Sequence, residues 1–270
     1  MKIKHLLCFI ALCLFFTPGK AQQLSVMTLR NGATVYIWED KSKPDVFGMI
    51  AFKVGSVDDP EQYTGLAHYL EHVMFKGTQT IDALDWEKEK PIYEKIIAKY
   101  DERAALSDPA AREAVDKEIN DLTREAAQYA AGNEFSLLVD HMGGQGLNAS
   151  TGYDQTEYHN SFPPSQLEKW LEIYSERLID PVFRGFQTEL EAVYEEYNMY
   201  NDDRGSRMRE FIYEQAFGDH PYARPIIGLP EHLKNPQLSK LIDFYNTWYG
   251  PQNMSIILVG NIDAKEAIPM

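Results

Sequence analysis

The stretch Thr64 to Thr78, TGLAHYLEHVMFKGT, sets His68 and His72 four residues apart with Glu71 beside the second. On a helix the two imidazoles leave one face about a turn apart, close enough to grip a single ion. Glu71 then stands at the edge of that face, where it can reach a water on the ion without binding the ion itself. Zinc lowers the pKa of such a water and a carboxylate completes its deprotonation, so the spacing fits hydrolysis. Two core histidines and an acid on a helix face would give the same string, and the bare spacing does not separate the two.

Two imidazoles leave a tetrahedral site short of a third protein ligand. The best candidate lies in the doublet Glu195-Glu196. The helix that carries it has an apolar stripe of Leu190, Val193, Tyr194 and Tyr197. Glu189 and Glu196 stand two turns apart on one edge of that stripe, and Glu195 points elsewhere. Glu196 could therefore reach the ion, with Glu189 behind it as an acceptor for a ligand histidine. His141, His159, His220 and His232 have no partner at ligand spacing and read as turn, strand and loop residues.

Several elements must bring these groups together. LSVMTLRNGATVYIWED alternates apolar and polar residues around Asn31-Gly32, a hairpin signal. VFGMIAF reads as a buried strand, and the histidine helix follows it, stopping before Gly77. Trp86 to Tyr129 differs in kind: charged, rich in alanine and broken only at LSDPAAR. Ser107 or Asp108 caps its second half, and Pro109 takes the first helical position. Ile92, Ile96 and Tyr100 form one seam, and Val115, Ile119, Leu122, Ala126 and Tyr129 form another. That is a helical hairpin, read as an insertion whose removal would leave the rest folded. Beyond it come a Gly-rich entry, two short strands around Gly152 to Asp154, amphipathic helices, and a buried strand in MSIILVGNID. Helices mixed with hairpins in this way indicate an α+β fold.

Residues 1–21 read as a signal peptide: a basic start, an apolar run from Leu6 to Phe16, and a cut after Ala21. The run is shorter than the roughly 20 residues a bilayer span needs, so no transmembrane segment is expected in the mature chain. Both cysteines, Cys8 and Cys13, lie in that segment. The mature protein would be periplasmic or extracellular, without a thiol, and any metal would sit on nitrogen and oxygen ligands. The net charge of −15 repels nucleic acid, and loss of Lys2, Lys4 and Lys20 makes the chain more acidic still.

GLAHYLEHVMFKGT resembles the pitrilysin, or insulinase, family of zinc peptidases, whose motif inverts the usual zincin order. RNGATVYIWED, GGQGLNASTGYDQTEYH, ELEAVYEEYN and YNTWYGPQNMSIILVGNID resemble the family too. The resemblance implies a mostly antiparallel sheet with helices on one face, like one half of a mitochondrial processing peptidase, over residues 22–263. It implies one zinc per chain on His68, His72 and Glu196, Glu71 as general base, and Glu189 as the supporting carboxylate. It also implies an edge strand in LNAST, where Asn148 and Ala149 would bind a peptide or unfolded polypeptide substrate. The separation of His72 from Glu196 exceeds the family's by about the length of the hairpin, so residues 86–129 account for the excess. Family members close a chamber with a second related half that supplies an arginine and a tyrosine. Residues 264–270 are too few to begin one, and the expected partner is another chain or a second copy. A truncated half that binds zinc without turnover, or a non-catalytic subunit of the same fold, are the alternatives.

Overall fold

The computed structural model describes residues 24–270, so the signal-peptide reading lies outside the described residues. Among the described residues six strands form one sheet: β1 Leu24–Thr28, β2 Thr34–Glu39, β3 Val46–Phe52, β4 Gln145–Thr151, β5 Thr156–Phe162 and β6 Met254–Gly260. Their order is β1-β2-β6-β3-β5-β4. Every neighbouring pair is antiparallel except β2 with β6, where Val35 lies against Ile256. The β1–β2 hairpin turns at Asn31-Gly32, where Gly32 takes a φ of 96° that a side chain would disfavour.

The period-2 pattern of the strands decides which face is covered. Val35, Ile37, Val46, Ile50, Phe52, Tyr158, Phe162 and Leu258 are buried. Their neighbours Tyr36, Phe47, Met49 and Val259 are only half-buried on the opposite face. Gly48 belongs to the covered face, since a Cβ there would stand 2.6 Å from the Trp170 ring. Asn160 on β5 accepts hydrogen bonds from Trp170 Nε1 and the Tyr174 hydroxyl, both at 2.8 Å. Those two residues lie on α5, so this contact locks helix to sheet.

The helices in chain order are α1 Leu66–Val73, α2 Trp86–Ala105, α3 Pro109–Ala126, α4 Glu134–His141, α5 Leu167–Ile179, α6 Phe186–Asp202, α7 Arg204–Phe217, α8 Pro230–Leu233, α9 Leu238–Trp248 and α10 Ala264–Ala267. Among the described residues none is long and apolar enough to cross a membrane. The short α4 carries no clear sequence signal. Only Phe135 and Val139 on it are buried, which is too little periodicity to separate a helix from a loop.

The hairpin is α2 and α3. Asp108 caps α3 by accepting from Ala111 N at 3.0 Å, with Pro109 following at the first position. Ile92, Ile96, Tyr100, Val115 and Ile119 are buried in the seam. The hairpin is no free appendage, however. Glu89 takes both arms of Arg184 at 2.6 and 2.8 Å. Tyr100 packs edge-on against Phe186 at 4.8 Å, and the Tyr93 hydroxyl accepts from Phe183 N at 3.3 Å. Removing residues 86–129 would strip Phe186 of its cover and leave Arg184 charged without its partner.

Candidate metal centre

Two buried side chains of opposite type, an acid and a base, hold α1 in place. At its start Asp59 accepts from Gly65 N at 2.7 Å and Ala67 N at 2.9 Å, satisfying donors the helix cannot satisfy itself. Gly65 adopts a φ of 89° there, and a Cβ would stand 2.5 Å from the Ile227 carbonyl oxygen. At the other end Arg177, fully buried, donates Nε to the Met74 carbonyl at 3.0 Å. Its guanidinium lies over the rings of Phe75, Tyr158 and Phe135 at 4.3, 4.3 and 4.6 Å. An acid at the N-terminus and a cation at the C-terminus both suit the helix dipole.

The N-terminus of α6 is fixed against α1 by the Tyr69 hydroxyl, which donates to the Phe186 carbonyl. Helical periodicity then carries Glu189 and Glu196 to the histidines and turns Glu195 out to solvent. His68 Nε2 lies 3.6 Å from Glu196 Oε2, and His72 Nε2 lies 3.5 Å from the same oxygen. One atom from each of His68, His72 and Glu196 falls within 4.8 Å of the other two. Zinc–ligand bonds of about 2.0–2.2 Å place tetrahedral neighbours roughly 3.3–3.6 Å apart, so the donor set fits one such ion. On the far side of His72, Nδ1 faces Glu189 Oε2 at 3.5 Å, the arrangement that orients a ligand imidazole.

The electrostatics fit a cation. Burial pushes His68 down to about 4, with the neighbouring His72 adding to the effect. A neutral imidazole is the form that lends a lone pair. Burial opposes charge on His72 as well, but Glu189 and Glu196 outweigh it and push that residue up to about 9. Both carboxylates are in turn held below their usual range, chiefly by His72. A proton on His72 therefore offsets two acids; a divalent ion among the donors would do so with twice the charge.

Glu71 lies on the same helix face, largely buried, and burial pushes its carboxyl up. Its Oε2 accepts from Thr151 Oγ1 at 2.6 Å. These groups line a cavity of about 610 Å³ together with Asn148, Ala149 and Tyr200. Asn148 is exposed and Ala149 half-buried on β4, which is a sheet edge. Three neighbours escape the sequence reading. Lys76 holds Glu189 Oε1 at 2.5 Å, Tyr200 lies against Glu196, and Thr151 holds Glu71. Lys76 is one turn past His72 and could have been flagged by spacing alone. Thr151 could not, since nothing in the string marks a strand end as meeting α1.

Comparison with known proteins agrees with the geometry. The profile described as Insulinase (Peptidase family M16) matches residues 34–90 and 120–229. A second, Peptidase M16 inactive domain, matches residues 237–270. An uncharacterized zinc protease of Mycobacterium leprae is 26% identical over 80% of this chain and 38% of its own length. The probable zinc protease PqqL of Escherichia coli is 25% identical over 92% of this chain and 22% of its own. The crystal structure of the first half of the periplasmic protease PqqL superposes with a TM-score of 0.67 at 25% identity, covering 92% of this chain and 45% of that one. The chain thus spans less than half the length of these relatives. With the inverted histidine motif, its distant glutamate and the matched profile all on one scaffold, the chain belongs to the insulinase family, peptidase family M16.

Proposed function

We propose that this chain carries the zinc site and catalytic base of an exported endopeptidase that cuts peptides or unfolded polypeptides. One zinc would be held by His68, His72 and Glu196. The observation that carries the reading is the approach of two imidazole nitrogens to a single Glu196 oxygen, at 3.6 and 3.5 Å. Bound there, zinc supplies Lewis acidity, polarising the scissile carbonyl and acidifying water. The chain's own residues supply the remainder. Glu71 accepts the proton of the attacking water and returns it to the leaving amine. Glu189 keeps the His72 ring turned toward the centre, and Lys76 steadies Glu189. The free edge of β4 offers backbone donors and acceptors to an extended peptide at Asn148 and Ala149, a mode tolerant of sequence.

Export is supported by the apolar segment Leu6 to Phe16 and by the periplasmic description of PqqL. The first profile match passes over residues 91–119, which supports reading the hairpin as an insertion in the family scaffold. A second reading is favoured by the chain's short span: activity requires a further M16-type half, and the chain alone holds zinc without turnover. One experiment addresses both. Purified chain and its Glu71→Gln variant are assayed for zinc content and peptide hydrolysis, alone and mixed with a second M16-type half. One zinc with Glu71-dependent hydrolysis by the chain alone supports the first reading. Hydrolysis only in the mixture supports the second, and absence of bound zinc ends both.

A further inference from the structure

We infer that Thr151 positions the Glu71 carboxylate, holding the base from the strand along which the substrate would lie; this rests on the base role proposed for Glu71. Thr151 Oγ1 donates to Glu71 Oε2 at 2.6 Å, a short charge-assisted bond. It is the one side-chain hydrogen bond to Glu71 among the described residues. A glutamate side chain turns about three torsions, and on a helix several staggered combinations are open to it. With Oε2 engaged by Thr151, that freedom collapses to one orientation, leaving the other oxygen to take a proton.

The strand geometry explains why position 151 can do this. Side chains on β4 alternate, so Leu147, Ala149 and Thr151 share the half-buried side while Asn148 and Ser150 are exposed. Ser150 illustrates the contrast: its hydroxyl turns to Glu157 on the neighbouring strand, at 3.0 Å. Thr151 closes the strand on the side that meets α1, two residues from Ala149, and both line the cavity of the candidate centre. Threonine also suits the task better than serine, because its branched Cβ restricts χ1 and presets the hydroxyl. Substrate strand and base are thereby joined by one hydroxyl. A peptide laid on β4 meets a carboxylate already oriented, and such preorganisation acts on turnover more than on binding.

Two variants test this in the zinc-loaded chain, with the second half present if hydrolysis needs it. Thr151→Val keeps the shape and removes the hydroxyl; Thr151→Ser keeps the hydroxyl and removes the methyl. The Val variant is expected to retain one zinc and an unchanged KM while kcat falls about 10²-fold. The Ser variant should recover most of that loss. In crystal structures of the zinc-loaded proteins, the Glu71 carboxylate should leave its place in the Val variant and keep it in the Ser variant. An unmoved Glu71 in the Val variant, a kcat equal to the parent's, or loss of zinc from the Val protein would each overturn the inference. If the parent itself hydrolyses nothing, the proposed function fails, and the crystallographic comparison still decides the role of Thr151.

Discussion

The helix α1 and the hairpin α2–α3 are neighbours in the chain and opposites in construction. Helix α1 is short, and each of its ends is held by a buried side chain from elsewhere: Asp59 at one end, Arg177 at the other. Most of it is buried, His68 and Glu71 included. The hairpin is more than four times as long, charged over most of its surface, and buries little beyond its own seam and the patch around Tyr100. One element carries the candidate centre and depends on its surroundings for its shape. The other carries its own fold in its sequence and meets the start of α6 and the residues just ahead of it, through Phe183, Arg184, Phe186 and Gln187. Burial of polar groups marks the first, and solvated charge marks the second.

That contrast can be broken by substitution. The largest effect is expected at the donors: His68→Ala, His72→Ala and Glu196→Ala should each release the zinc, read as metal content after gel filtration. Retention by Glu196→Ala would point to a different third ligand. Next comes Glu71→Gln, which should keep the metal and lower peptide turnover by about 10²–10⁴-fold; activity near the parent's would remove Glu71 from the mechanism.

The hairpin should answer differently. Glu89→Ala leaves the mostly buried Arg184 guanidinium without its carboxylate. It is expected to cost about 3 kcal/mol in denaturant unfolding while folded protein still binds zinc. Loss of zinc from the folded variant would show that the hairpin governs the centre more directly than its contacts suggest. Smaller again, Glu189→Gln should weaken zinc affinity about 10- to 100-fold through the His72 ring, measured by competition with a chelator. At the bottom of the scale, Lys117→Ala removes an exposed pair with Glu113 on α3 and should leave the melting temperature unchanged.

Much of this was legible beforehand, for identifiable reasons. Glu196 could be preferred to Glu195 because a helix fixes the angle between successive side chains and an apolar stripe shows which way is inward. Asp108 and Pro109 announced the second half of the hairpin because a capping residue acts on backbone groups within its own turn. The attachment of the hairpin through Glu89 and Arg184 was not legible. An ion pair between residues so far apart leaves no periodic trace in either segment.

What the sequence determined alone was local: the helical face that presents His68, Glu71 and His72, the edge that presents Glu189 and Glu196, and the strands with their covered sides. These follow from periodicities of 3.6 and 2, which act over a few residues. Only the tertiary structure decided that the two helices meet at one point, that β6 inserts parallel to β2, and that Thr151 closes on Glu71. Such encounters depend on how whole elements pack, and packing is set by the summed burial of many side chains rather than by any one of them.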